Sequence, residues 1–204
     1  TSFTNEASSS AVSFASLVTG QTVTTQGAST GAVTAAWGAT VTAPVLNVKG
    51  AAGAVTLTNA GGTNITINSS DAALTSTGAV GTNTIGALTA GGAANATLNI
   101  TAASSLSTGS TGTTSFAGDT IKASGAGSVS LGTLTAAALK TIDASGLTGG
   151  MTATLVAGVT SFKGGAGNDV ITSANVATTS SIDAGAGTTD VLKVGAYADI
   201  DTLA

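Results

Sequence analysis

Apolar and polar positions alternate along this chain in short bursts. Val45-Leu46-Asn47-Val48, Val55-Thr56-Leu57, Ile65-Thr66-Ile67, Leu98-Asn99-Ile100 and Val129-Ser130-Leu131 are such bursts, each bounded by Gly, Asn or Ser. A period of two sends successive side chains to opposite faces, the pattern of a strand with one buried side. No stretch sustains the 3.6-residue apolar period of an amphipathic helix. The best helix candidate, Thr135 to Leu139, is one turn long and flanked by strand patterns. The expected chain is all-β.

The bursts also repeat. Ile121-Lys122-Ala123-Ser124-Gly125, Ile142-Asp143-Ala144-Ser145-Gly146, Phe162-Lys163-Gly164-Gly165-Ala166 and Ile182-Asp183-Ala184-Gly185-Ala186 are one motif written four times, about 20 residues apart. Ile100 extends the series backwards, and Val48-Lys49-Gly50 resembles an earlier copy. A second apolar position follows each of the four leaders: Val129, Met151, Val170 and Val191. A fixed period built from short strands and Gly turns predicts a right-handed parallel β-solenoid with coils of about 20 residues. A β-sandwich would need the spacing to be coincidental. Ile100, Ile121, Ile142, Phe162 and Ile182 should form one internal ladder, and Val129, Met151, Val170 and Val191 a second. In that alignment Asp169 matches Ser128 and Asp190 matches Gly150. Residues 1–44 read as an N-terminal β cap ending at Pro44, residues 45–162 as solenoid coils, and residues 163–204 as a distinct C-terminal group of coils.

Composition supports a narrow interior. Hydrophobic residues make up 42% of the chain, largely Ala, and only 7% is charged, so the chain lacks the signature of disorder. It has no Cys and no His, which leaves few groups for acid–base or nucleophilic work, and no enzyme is expected. The absence of Cys suits a secreted bacterial protein. A net charge of −4 speaks against a nucleic-acid partner. No apolar run is long enough for a transmembrane segment. Thr-x-Thr units such as Thr133–Thr135 and Thr152–Thr154 do not recur at the coil period, so no flat threonine face is expected. Five acids, Asp169, Asp183, Asp190, Asp199 and Asp201, gather near the C-terminal end, which points to a cation.

The sharpest motif is Gly164-Gly165-Ala166-Gly167-Asn168-Asp169-Val170-Ile171-Thr172, which fits the calcium nonapeptide GGxGxDxUx at every defined position. A looser copy, Ala184-Gly185-Ala186-Gly187-Thr188-Thr189-Asp190-Val191-Leu192, has Ala184 for the first Gly and one extra residue before its Asp. Glycines let the backbone turn sharply and aim carbonyl oxygens inward, and Asp adds carboxylate oxygens. Ca²⁺ takes six to eight such ligands.

These loops, with the Thr/Ala/Gly/Ser-rich repeats around them, resemble bacterial surface-layer proteins with RTX-type calcium repeats. The resemblance implies export, calcium-dependent folding outside the cell and self-assembly into a lattice or filament at the bacterial surface, with a cell-surface polysaccharide as a potential anchor. It also implies Asp169 and Asp190 as carboxylate ligands. Carbonyls would come from Gly164, Gly165, Ala166 and Gly167, and from Ala184, Gly185, Ala186 and Gly187. Asn168 and Asp183 are outer candidates. The alternative is a repeat or stalk region of a secreted RTX-type adhesin or exoprotein.

Overall fold

The computed structural model describes residues 1–59, 61–71, 81–173 and 181–194. The chain winds into a parallel β-solenoid of about eight turns, about 22 residues apart, with no helix among the described residues. The first coil supplies β1 (Ser2–Glu6) and β2 (Val12–Leu17), and the second β3 (Thr22–Ala28) and β4 (Val33–Trp37). The long β5 (Val45–Thr58) serves both ladders of the third coil. Then come β6 (Asn64–Ser69) with β7 (Asn83–Ala90), and β8 (Thr97–Ala102) with β9 (Leu106–Thr108) and β10 (Thr113–Phe116). The regular coils follow: β11 (Thr120–Gly125) with β12 (Val129–Leu134), β13 (Thr141–Leu147) with β14 (Met151–Leu155), β15 (Ser161–Lys163) with β16 (Val170–Ser173), and β17 (Ser181–Asp183) with β18 (Val191–Val194). Every pairing among these strands is parallel and joins neighbouring coils.

Alternation along each strand explains the burial. One inward row runs Ile65, Leu98, Ile121, Ile142, Phe162 and Ile182, buried except at Ile182 on the last described coil. Burying each such side chain contributes about 1.5–3 kcal/mol. Ile100 is not in this row. It pairs with Ile67 and Ala123, two residues along the same strands, and Leu98 holds the place expected for it. The same-face parity hid a coil that is longer than 20 residues. Val48 is likewise inward but out of step with Phe162, its row running through Thr25 and Ser69.

The second expected ladder needs a larger correction. Val129 does face Met151, but Val170 is opposite Thr152 and Val191 is opposite Val170. Val170 and Val191 therefore point outward. Ile171 and Leu192 hold the inward positions beside them, with Ile171 buried and Leu192, on the last described coil, 39% exposed.

Residues 1–44, expected as a cap, supply the first coils of the same stack, and β3 runs in unbroken register with β5 across Pro44. Trp37 is buried and donates its indole N–H to the Gln21 carbonyl at 3.2 Å. Thr135–Leu139 forms a turn, with the Leu139 amide bonded to Ala136 O. Threonines do line up, contrary to the expectation from spacing: Thr34, Thr56 and Thr89 form one row, and Thr113, Thr133, Thr154 and Thr172 another. Among the described residues, no helix is long and apolar enough to cross a membrane.

The turns between the two ladders are packed main chain on main chain. A Cβ on Gly149 would lie 2.6 Å from Gly127 O, one on Gly167 2.6 Å from Gly149 O, and one on Gly187 2.5 Å from Gly167 O. This column admits only glycine because a side chain would enter the coil above it.

Candidate metal centre

Asp169 stands in the inward row one position before β16. In the coils above, the amide of each row residue donates to a main-chain carbonyl on the next coil: Asn83 to Ser105 O at 2.8 Å, Leu106 to Ser128 O at 2.8 Å and Val129 to Gly150 O at 2.9 Å. At Met151 the acceptor changes. Its amide donates to Asp169 Oδ1 at 2.6 Å, and the Asp169 amide donates in turn to Asp190 Oδ1 at 2.8 Å. A carboxylate thus takes over the role of a peptide carbonyl in the last coils. The row reads Leu106, Val129, Met151, Asp169, Asp190, so Asp169 corresponds to Met151 and Val129, and not to Ser128. Where the three coils above carry an apolar core residue, Leu106, Val129 and Met151, these two carry an acid.

Glycine makes room for the inward carboxylates. Asp169 Oδ2 accepts from the Gly165 amide at 3.1 Å. A Cβ on Gly164 would overlap both Asp169 Oδ2 and Ala184 O, and one on Gly187 would overlap Asp190 Oδ1. Oxygens of two successive coils therefore converge around Gly164. Asp169 is fully buried. Burial pushes its carboxyl above the ordinary range, the Met151 and Gly165 amides pull it back, and the charge of Asp190 pushes it up again.

The second loop's extra residue has a role. Asn168 Oδ1 accepts from the amides of both Thr188 and Thr189, at 3.1 and 3.2 Å, so the lengthened turn is tied to the loop above it. Ala186 N–H reaches Gly165 O at 2.8 Å, and Ala166 N–H reaches Leu147 O at 2.9 Å. Asp183 lies elsewhere, on the outward face of β17, where its carboxylate accepts from the Gly185 amide at 3.0 Å. Asp199 and Asp201 lie outside the described residues.

The site's chemistry follows from this set. Asp169, Asp190, Asn168 and the carbonyls of the two loops are all oxygen donors, which suit a hard cation in kind. No group of three or more His, Cys, Asp or Glu that could hold a metal occurs among the described residues, so carboxylates alone would not complete a coordination shell. Gly and Ala carbonyls would have to supply the rest.

A further set of positioned residues went unread in the sequence. Lys122, Asp143, Lys163 and Asp183 share one outward row on successive coils. The signal was present in the fourfold motif, as the residue after each apolar leader. Upstream, Asn68 donates to Asn47 Oδ1 at 3.0 Å, and Asn47 to Thr24 Oγ1 at 3.3 Å, a neutral version of the same stacking. Compared with known protein families, with curated proteins and with solved structures, the chain matches none.

Proposed function

We propose that this chain is a structural, self-assembling extracellular protein of a bacterial surface layer, whose last coils are completed by calcium. The observation that carries the reading is the replacement of core residues by Asp169 and Asp190 on two successive glycine loops. Burial makes the Asp169 carboxyl resist ionisation, and the nearby charge of Asp190 adds to this. Ca²⁺ would supply the positive charge that offsets this, with Asp169, Asp190 and carbonyls of the Gly164–Gly167 and Ala184–Gly187 loops as its ligands. Extracellular calcium modules work at about 10⁻⁴ to 10⁻³ M, so such a site fills outside a cell. The upstream coils carry Val129 and Met151 in this row and need no ion.

The protein's own part is scaffolding. Parallel stacking on neighbours alone gives a stiff rod with pairing-competent edges, a form suited to extended assembly. The test is imaging and melting of the purified protein in millimolar calcium and in excess chelator. Ordered sheets or filaments in calcium, and loss of order in the 161–194 coils on chelation, are the expected results. Isolated rods would favour the stalk of a larger exoprotein, and identical melts in both buffers would remove calcium.

A further inference from the structure

The outward face of the first ladder carries four charges in register: Lys122 opposite Asp143, Asp143 opposite Lys163, and Lys163 opposite Asp183. The whole chain has five Lys and nine acids, so four charges in one row on four consecutive coils is a marked concentration. Lys122, Lys163 and Asp183 are exposed, and Asp143 is half-buried. A row of small hydroxyl residues, Thr120, Thr141, Ser161 and Ser181, runs alongside. No ion pair closes along the row among the described residues, whereas Lys49 and Asp71 do pair, at 2.8 Å. A hollow of about 280 Å³, lined by Asn99, Lys122, Asp143 and Ser145 among others, opens beside it.

The signs read plus, minus, plus, minus. Turned end for end, they read minus, plus, minus, plus. A second copy related by a two-fold axis lying in the plane of the contact, perpendicular to the coil stack, would therefore set Lys122 against Asp183 and Asp143 against Lys163, twice over. Both copies have the same strand spacing, about 4.8 Å, so all the contacts come into step together. We propose that this charged row is a lateral contact through which two copies of the chain pair antiparallel. The proposal rests on the self-assembly reading and names the surface used. The hollow gives the partner's lysine at position 163 room to reach Asp143.

Two charge swaps of equal composition separate this contact from a purely internal role. Asp143→Lys with Lys163→Asp gives plus, plus, minus, minus. That order keeps opposite charges facing across the two-fold axis but places like charges on adjacent coils twice. Lys122→Asp with Asp143→Lys gives minus, plus, plus, minus. That order has one like-charged step within the chain, yet it sets like against like at every crossing. Association is read by sedimentation at low salt, with thermal melts to establish that each variant is folded. The expected result is that wild type and the first swap associate, while the second associates about a hundredfold more weakly or not at all. Equal association of all three would overturn this contact and leave self-assembly standing. Loss of association in both swaps would also overturn it, in favour of internal ordering. A wild type that stays monomeric at every concentration and salt would remove both.

Discussion

The amide of Met151 donates to the carboxylate of Asp169, its equivalent on the next coil, at 2.6 Å. Asp169 also accepts from Gly165, so it holds two buried amides. Asp169→Ala leaves both without an acceptor, at about 1–3 kcal/mol each. Asp169→Asn keeps one acceptor and removes the buried charge, so in the absence of cation it is less damaging. Hydrogen exchange should show faster exchange at Met151 and Gly165 in the Ala variant, with Ile67 unchanged. Unaltered protection at both amides would contradict the assignment.

Asp143 gives a pH-dependent signature. The Ser145 hydroxyl, at 2.6 Å, is the main force holding its carboxyl below the ordinary range. Partial burial opposes this, and the Ser145 amide, Lys122 and Lys163 add to the lowering. The folded state thus binds fewer protons than the unfolded chain. The stabilisation is present above the unfolded value of about 3.9 and is lost as pH falls through the folded one. The stability difference between wild type and Ser145→Ala should be full at pH 7 and shrink below about pH 4, measured by denaturant midpoints. A difference that grows in acid would contradict this.

The glycine column sets a steric limit. Gly167→Ala puts a methyl against Gly149 O and the Gly150 amide nitrogen, main-chain atoms that cannot swing away. A loss of about 1–3 kcal/mol is expected, as for other overpacked positions. Gly20→Ala has open space around the new carbon but a φ of +83°, so its effect is conformational, about 1 kcal/mol. Chemical denaturation of the two variants separates packing from backbone preference.

Register decides between two truncations to alanine. Ile142→Ala empties a fully buried site and should cost about 2–5 kcal/mol. Val170→Ala trims an outward side chain next to the buried Ile171 and should stay within about 0.5 kcal/mol. Comparable losses for both would place Val170 in the core after all.

The solenoid was legible because the Ile121, Ile142, Phe162 and Ile182 leaders recur at a near-constant interval, and strands that stack in parallel need that constancy. Ile100 was misplaced because a two-residue slip preserves the facing of every side chain, so alternation cannot detect it. Val170 was misplaced for the complementary reason. An acid stood at the inward position before it, and an acid is not counted when apolar residues define a core. The glycine loops announced Asp169 and Asp190 as a pair. Their insertion into the hydrogen-bond ladder of the strands depends on which amide lies above each carboxylate, and only coordinates show that. The alternating charge row was written in plain view, but its meaning depends on knowing that residues about 20 apart are neighbours.

Pairing between neighbouring coils alone gives the molecule a direction of assembly. Among the described residues no strand waits for a partner far along the chain, so each coil completes itself on the one made before it. A polypeptide delivered N-terminus first would fold as it arrives, with every finished edge serving as the template for the next. Among the described residues the coils carrying Asp169 and Asp190 are reached last in that order, so on the calcium reading proposed above the ion is met only once the earlier coils stand ready as a template.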